Sequence, residues 1–346
     1  MKISKSATVS LLLSVFLFTV PLESSACSVA FLEGEHGAIL ARTVDWPTSD
    51  GIVVKNVRGI DKTAFLIPEG LTPYLWTSVY GSVTFNLIIN IPNIPGHKKL
   101  DSPGCGLNEA GLCVATLFVD PPAYPSPGDK PLLRSAEVVR VLLDTCSNVN
   151  EALEKFNDFG LTGLVVGEES SDLHWFITDK SGNCAIVEFP PENSGKASVY
   201  YPPRYKNMTN DYYLPSYEYL AKYKGFGGSK PMPSDTDKRT SDVRFVRNVY
   251  FSQNVMKKNN ISEDDGFFVM GKVAQTEGTK GSNSPTEWTV VYDLKNFKVS
   301  WTSVKNNSRR TIDLSRLDFS KTTQVFSMDI QSAGSGDVTK DFGERK

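Results

Sequence analysis

The sequence predicts an α+β protein in which antiparallel sheets stack on one another and helices cover them. Pairs of short, alternating apolar runs are joined by turn residues, which is the pattern of β-hairpins. Segments with a helical apolar period lie between these hairpins instead of following every strand. The length of 346 residues, with 40% hydrophobic and 22% charged residues, is typical of a globular protein with a substantial core.

Predicted strands and helices are spread along the whole chain. The strands lie at 28–33 and 38–46, at 82–91, at 111–120, in a hairpin within 173–189 and in another within 287–304. The helices lie at 135–146, 149–156 and 241–256. We expect one domain over 27–330 because no repeat or low-complexity segment divides it. Residues 331–346 are polar with Gly and Ser, which predicts a disordered tail.

Residues 1–26 have the features of a secretory signal peptide. Two lysines begin the segment, an apolar run follows over 11–20, and Ser24 and Ala26 are small residues at the cleavage-site positions. Cleavage after Ala26 leaves Cys27 as the first residue of an exported protein, either periplasmic or secreted. An N-terminal cysteine carries a thiol nucleophile and an α-amino base on one residue, which suits acyl transfer.

Cys27 has two other interpretations. In the first, Cys27 is a lipid-anchored cysteine of a binding protein, although Ser24 stands where the lipoprotein signal has an aliphatic residue. In the second, Cys27 is half of a disulfide. The chain has five cysteines, and an odd number leaves at least one unpaired or paired between chains in an oxidising compartment. A turn joins Cys105 and Cys113, so these two are candidates for a pair. A catalytic Cys27 also accounts for the odd count.

The strand at 38–46 contains the sequence ARTVDW, with Arg42 and Asp45. If this strand returns antiparallel to the one that Cys27 opens, Arg42 comes near the thiol and Asp45 near the α-amino group. A neighbouring cation lowers the thiol pKa from about 8.5, and an amine of pKa about 8 can exchange protons near neutral pH. The alternative interpretation is an ordinary surface pair of charges on a strand.

These residues resemble the choloylglycine hydrolase and penicillin V acylase family of N-terminal-nucleophile hydrolases, of the exported Gram-negative type. The resemblance begins with the processed cysteine and the ARTVDW strand and covers nearly all of 27–305. Further similar segments follow in the family's order: WTSVYGSV at 76–83, GLNEAGL at 106–112, MTN at 208–210, DVRFVR at 242–247 with one inserted valine, and EWTVVYD at 287–293.

The resemblance implies a four-layer αββα sandwich and a set of catalytic residues. Cys27 would be the nucleophile and, through its amine, the general base and acid. Arg42 would stabilise the thiolate and Asp45 would hold the amine. Asn210 would donate to the oxyanion that forms on the attacked carbonyl, and Arg244 would support the cluster.

The resemblance also implies hydrolysis of linear amides with an apolar acyl group and a polar amine leaving group. The nearest candidates for an apolar acyl pocket are Trp46, Trp76, Tyr80, Leu117 and Phe118, each of which is alternatively a packed core residue. Phe118 replaces the asparagine of bile-salt hydrolases and offers no side-chain hydrogen bond. We therefore expect penicillin V or a related amide first, a long-chain N-acyl homoserine lactone second and a conjugated bile salt third.

Composition narrows the possible partners. The formal net charge of −2 leaves no basic surplus for nucleic acid or a membrane surface. Zinc-type cysteine spacing is absent and only three histidines are present, so we expect no metal and no cofactor. The expected partner is a small-molecule amide, and relatives of this type are often homo-oligomers.

Overall fold

The computed structural model describes residues 27–35, 37–90, 99–119, 123–126, 128–166, 169–258, 260–276, 284–322 and 324–342. The signal peptide predicted for 1–26 lies outside the described residues. Within the described part of the chain, no helix has the length and apolar character needed to cross a membrane.

Strands make up most of the described elements. In chain order they are β1 (Ser28–Glu33), β2 (Ala38–Asp45), β3 (Gly51–Asn56), β4 (Asp61–Thr63), β5 (Leu75–Thr77), β6 (Ser82–Asn90), β7 (Lys99–Asn108), β8 (Leu112–Phe118), β9 (Leu132–Arg134), β10 (Gly160–Thr162), β11 (Leu164–Val166), β12 (Glu169–Ser171), β13 (Leu173–Asp179), β14 (Cys184–Glu188), β15 (Ser198–Tyr200), β16 (Asn207–Met208), β17 (Thr286–Asp293), β18 (Lys298–Ser303), β19 (Arg310–Asp313), β20 (Phe326–Asp329) and β21 (Gly336–Asp337). The helices are α1 (Val138–Thr145), α2 (Val149–Lys155), α3 (Tyr213–Leu220), α4 (Ser241–Val255) and α5 (Glu263–Gly271).

Two large sheets form the centre of the fold. The first sheet has the order β16-β1-β2-β17-β18-β19-β21 and is antiparallel except for the last pair. The second sheet has the order β15-β14-β13-β8-β7-β6-β3-β20 and is antiparallel throughout. Helices α4 and α5 contact the first sheet, and α1 and α2 contact the second.

Side-chain alternation along the strands explains this layering, because successive residues of a strand point to opposite faces. On β1, Val29 and Phe31 join the core between the sheets, whereas Ala30 and Leu32 face the core under the helices. The second sheet divides in the same way, with Leu117 inside and Val114 outside under α1. The predicted αββα sandwich is confirmed.

Close packing of α5 against the first sheet depends on Gly266. A Cβ atom built on this glycine would lie 2.9 Å from Val291 Cγ1 and 3.0 Å from Ile39 Cγ2. Any larger residue would therefore push the helix away from the sheet. The helix starts at a capping box, in which Ser262 and Asp265 each satisfy the other's backbone N–H.

The C-terminal segment corrects one prediction. We expected disorder over 331–346, but the described part up to residue 342 is ordered: β21 pairs with β19, and Phe342 is buried in the core between the sheets. The segment is polar on average, but its apolar residues Val338 and Phe342 both pack in the core. Residues 343–346 lie outside the described part.

Candidate active site

Cys27 lies immediately before β1, at the end of a central strand pair. Ser28 pairs with Thr43 across β1 and β2, and the Ser28 N–H donates to Thr43 Oγ1 over 3.1 Å. The Cys27 side chain is 3% exposed and packs in the core between the sheets. The antiparallel register therefore brings the residues around Thr43 back to the thiol, as the hairpin pattern predicts.

Arg42 lies beside the thiol and is itself buried. Its guanidinium hydrogen-bonds the Cys27 side chain, and Nη1 donates to the Gly104 carbonyl of the second sheet. That carbonyl is available because β7 bulges at this point: Cys105 pairs with Phe85 and Pro103 with Asn86, which leaves Gly104 without a partner in β6. The bulge thus turns a strand carbonyl towards the arginine.

Asp45 ends β2 and is fully buried. Its carboxylate accepts hydrogen bonds from Gln275 Nε2 at 2.9 Å and from Thr286 Oγ1 at 2.5 Å. Burial raises the pKa of Asp45 to about 6, although the positive charge of Arg244 and these hydrogen bonds oppose the rise. The carboxylate is therefore mainly ionised at neutral pH but titrates close to it.

Arg244, in the first turn of α4, connects Cys27 to Asn210. One guanidinium nitrogen, Nη1, donates to the Cys27 carbonyl and, over 2.8 Å, to Ser28 Oγ. The other, Nη2, donates to Asn210 Oδ1 over 2.9 Å. Asn210 in turn donates from Nδ2 to the Phe118 carbonyl over 2.9 Å. An amide NH₂ has two hydrogens, so this network orients the group and leaves its second N–H for another acceptor.

The electrostatics at Cys27 combine burial with two cations. Burial raises the pKa of the Cys27 thiol, and the negative charge of Asp45 raises it further. Arg42, then a hydrogen bond from the Asp45 backbone, then Arg244 act in the opposite direction. The two guanidinium groups are therefore what favours a thiolate at this buried position.

Comparisons with known proteins show which family the chain belongs to. A family model described as linear amide C–N hydrolases, choloylglycine hydrolase family, matches residues 101–327. The chain belongs to this family. It is accordingly a hydrolase of linear amide C–N bonds, other than peptide bonds. No curated protein gives a significant match.

Solved structures extend the similarity over most of the chain. A penicillin V acylase from Agrobacterium tumefaciens is 27% identical, with a TM-score of 0.74 over 92% of this chain and 98% of that one. A variant of the conjugated bile acid hydrolase from Clostridium perfringens is 18% identical, with a TM-score of 0.70 over 88% of this chain and 97% of that one. The second likeness supports the N-terminal-nucleophile hydrolase fold.

Two of the five predicted pocket residues of this choloylglycine hydrolase family member, Trp46 and Phe118, are in contact. Trp46 directly follows Asp45 and stacks on Phe118, with ring centroids 5.2 Å apart and planes inclined by 25°. Leu117 precedes Phe118 on β8 and points to the opposite face of the sheet, into the core that also contains Cys27. The structure thus brings an apolar pair of rings next to the Phe118 carbonyl that Asn210 binds.

Trp76 and Tyr80 do not lie with Phe118, which corrects their assignment to the pocket. Trp76 packs under α1 on the outer face of the second sheet, where its Nε1 donates to Asp144 Oδ2 over 2.8 Å. Tyr80 precedes β6 at the end of the sheet where β8 begins, whereas Phe118 stands where β8 ends. Six residues of strand separate these ends by roughly 20 Å.

Sequence analysis missed three groups that hold the site residues: Gly104, Gln275 and Thr286. Gln275 and Thr286 lie 230 and 241 residues after Asp45, and no local pattern marks them as its partners. The only available signal for Gly104 is its position between Pro103 and Cys105, since a glycine within a strand often marks a bulge.

The five cysteines are all buried, free thiols. The possible pair of Cys105 and Cys113 is therefore not formed, although the two residues lie on the adjacent strands β7 and β8. Among the described residues, no group of three or more His, Cys, Asp or Glu is placed to hold a metal ion.

Proposed function

We propose that this family member cleaves its amide through an acyl-enzyme on Cys27, after the segment 1–26 has been removed. One observation carries this proposal: Arg42, Asp45, Asn210 and Arg244 converge on Cys27 through the contacts described above. The Ser24 departure from a lipoprotein signal and the family membership both favour this function over that of a lipid-anchored binding protein.

The proposed reaction uses the residues of this cluster in sequence. The Cys27 α-amino group accepts the thiol proton, and the thiolate, stabilised by Arg42, attacks the amide carbonyl carbon. The negative charge that develops on the carbonyl oxygen is stabilised by the second Nδ2–H of Asn210. The protonated amino group, held by Asp45, then protonates the departing amine. Water, deprotonated by the same amino group, hydrolyses the thioester and releases the acid.

We infer an aromatic or otherwise apolar acyl group for the substrate. The stacked Trp46 and Phe118 supply apolar surface beside the proposed oxyanion donor. The similarity to a penicillin V acylase supports a phenoxyacetyl-type amide as the first candidate. A long-chain N-acyl homoserine lactone ranks second and a conjugated bile salt third, because Phe118 provides no polar side chain.

Processing and the nucleophile are tested together on the exported protein. We expect N-terminal sequencing to begin at Cys27, and the unprocessed chain to have no amidase activity. Cys27→Ser should lose most of the activity. Cys113→Ser is the matched control, because Cys113 is an equally buried thiol of the same core. A lipidated Cys27, a different mature N-terminus or an active Cys27→Ala variant would contradict the proposal.

The substrate is tested by assaying the mature protein in parallel on penicillin V, a long-chain N-acyl homoserine lactone and taurocholate. We expect the highest kcat/KM on penicillin V. Efficient taurocholate hydrolysis without turnover of the other two would overturn the substrate ranking and leave the proposed mechanism intact.

A further inference from the structure

Arg42 is buried without a carboxylate partner. Its side chain is 1% exposed, and none of the ion pairs within the described residues includes it. Its Nε atom also has no hydrogen-bond partner among those residues. The guanidinium is instead held by the Gly104 carbonyl, which accepts from Nη1, and by hydrogen bonds with the thiols of Cys27 and Cys105.

Cys105 is fixed from the opposite side by a phenol. It is fully buried on β7, next to the bulged Gly104, and Tyr292 donates its O–H to Cys105 Sγ over 3.1 Å. Tyr292 lies on β17, which pairs directly with β2, the strand of Arg42. A chain of contacts therefore runs from Tyr292 through Cys105 to Arg42 and ends at Cys27.

This chain of contacts affects the reaction because the Arg42 side chain is long and needs contacts to fix its position. The attraction between a guanidinium and a thiolate weakens with their separation, and in a buried site it is poorly screened by water. If the edge of the guanidinium that faces Cys105 lost its acceptor, a buried donor would be left unsatisfied. The group would then rotate to find another acceptor and move away from the nucleophile.

We propose that Cys105 is a positioning residue, which together with Tyr292 holds the Arg42 guanidinium against the Cys27 thiol. The proposal rests on the proposed function, because it assigns Cys105 a role toward Cys27 as nucleophile. Nothing in the reaction requires Cys105 to touch the substrate.

The test measures the pH dependence of Cys27 alkylation by iodoacetamide in the mature protein, with the modified peptide identified by mass spectrometry. The charged and titratable groups facing the two thiols are Arg42, Asp45 and Arg244 around Cys27, and Arg42, Tyr292 and Cys113 around Cys105. For Cys105→Ala we expect the alkylation midpoint to rise by about one pH unit. That shift slows alkylation about tenfold below the midpoint and lowers kcat with little change in KM.

Two further variants separate positioning from packing. Cys105→Ser keeps a hydroxyl that can accept from Arg42, so we expect it to restore a midpoint close to that of the unmodified protein. Cys113→Ala truncates a neighbouring thiol of the same core that has no hydrogen bond to Arg42, and we expect no shift. Should Cys105→Ala fail to fold, Tyr292→Phe takes its place, with a smaller upward shift expected.

An unchanged midpoint in Cys105→Ala with a lower melting temperature would overturn the proposal and reduce Cys105 to a packing residue. A fall of the midpoint in both Cys105 variants would also overturn it, because the two thiols would then be competing for one cation. Turnover that survives Cys27→Ala would instead contradict the proposed function. The alkylation midpoints would still decide whether Cys105 positions Arg42.

Discussion

The Nη2 atom of Arg244 donates to Asn210 Oδ1 over 2.9 Å, and this contact determines which end of the asparagine amide faces the substrate. An asparagine side chain can place either its oxygen or its nitrogen in a given direction. With the oxygen held by a guanidinium, the nitrogen must point towards the Phe118 carbonyl and the space beside it.

We expect Arg244→Lys to lower kcat about 100-fold, with a smaller change in KM. Lysine keeps the charge but cannot donate to the Cys27 carbonyl, Ser28 and Asn210 from one planar group. Arg247→Lys is the matched control, because Arg247 is an equally buried arginine of α4 that binds other backbone carbonyls. Steady-state kinetics would contradict this prediction if both variants lost activity equally.

Asn210→Ala removes the proposed oxyanion donor, and we expect kcat to fall by about 10²–10³-fold. Asn207→Ala serves as the control. Asn207 also donates from Nδ2, but to Asn248 and Ser252 in the layer of α4. This control variant should lose thermal stability while its kcat on folded protein stays near that of the unmodified protein. A normal kcat in Asn210→Ala would exclude the assigned role.

The pH profile of kcat/KM should have an acidic limb controlled by Asp45. Burial raises the pKa of this carboxyl to about 6, so it is ionised above that pH and protonated below it. Only the ionised form can hold a positively charged amine. We therefore expect kcat/KM to fall tenfold per pH unit below about pH 6. A rate that increases as the pH falls through this range would contradict the assignment.

Phe118→Ala should weaken binding of an aromatic acyl group. Loss of one aromatic contact is worth about 0.5–1.5 kcal/mol, so we expect KM for penicillin V to rise about two- to tenfold. The backbone carbonyl that orients Asn210 remains in this variant. Trp76→Phe, in the core under α1, should leave KM unchanged. If Trp76→Phe raised KM as much as Phe118→Ala, Trp76 would belong to the pocket after all.

The ordered C-terminal segment predicts a stability effect. Phe342 is 1% exposed, and truncation of a buried phenylalanine to alanine costs about 3–5 kcal/mol. We expect Phe342→Ala to lower the melting temperature clearly in calorimetry. Val325→Ala, at a side chain that is 59% exposed, should not. Equal melting temperatures for the two variants would mean that residues near 342 do not pack on the core.

Local patterns predict the parts of the fold whose information is local. β1 has its predicted bounds because its alternation and its turn are contained in a dozen residues. β7 was missed because Pro103, Gly104 and Gly106 interrupt its pattern, and its bulge depends on pairing with β6. The prediction of disorder near the C-terminus was wrong because it was based on the polar composition, whereas Val338 and Phe342 pack in the core and order the segment.

The residues of the candidate site also divide into those that local sequence patterns predict and those that they do not. Hairpin geometry alone brings Arg42 and Asp45 to Cys27, since all three lie within 19 residues. Asn210 and Arg244 reach the site across most of the chain, and only the family resemblance indicated them. Trp76 and Tyr80 were misplaced because nearness along a motif gives no information about which face or end of a sheet a residue occupies.

The contact between Arg42 and the Gly104 carbonyl joins the two sheets at the nucleophile. The catalytic activity therefore depends on how the two sheets are aligned with each other. A slight slide of one sheet over the other would withdraw the carbonyl and misdirect the guanidinium while almost every other contact survived. On gradual heating or under hydrostatic pressure, such an enzyme should lose its catalytic activity before it unfolds.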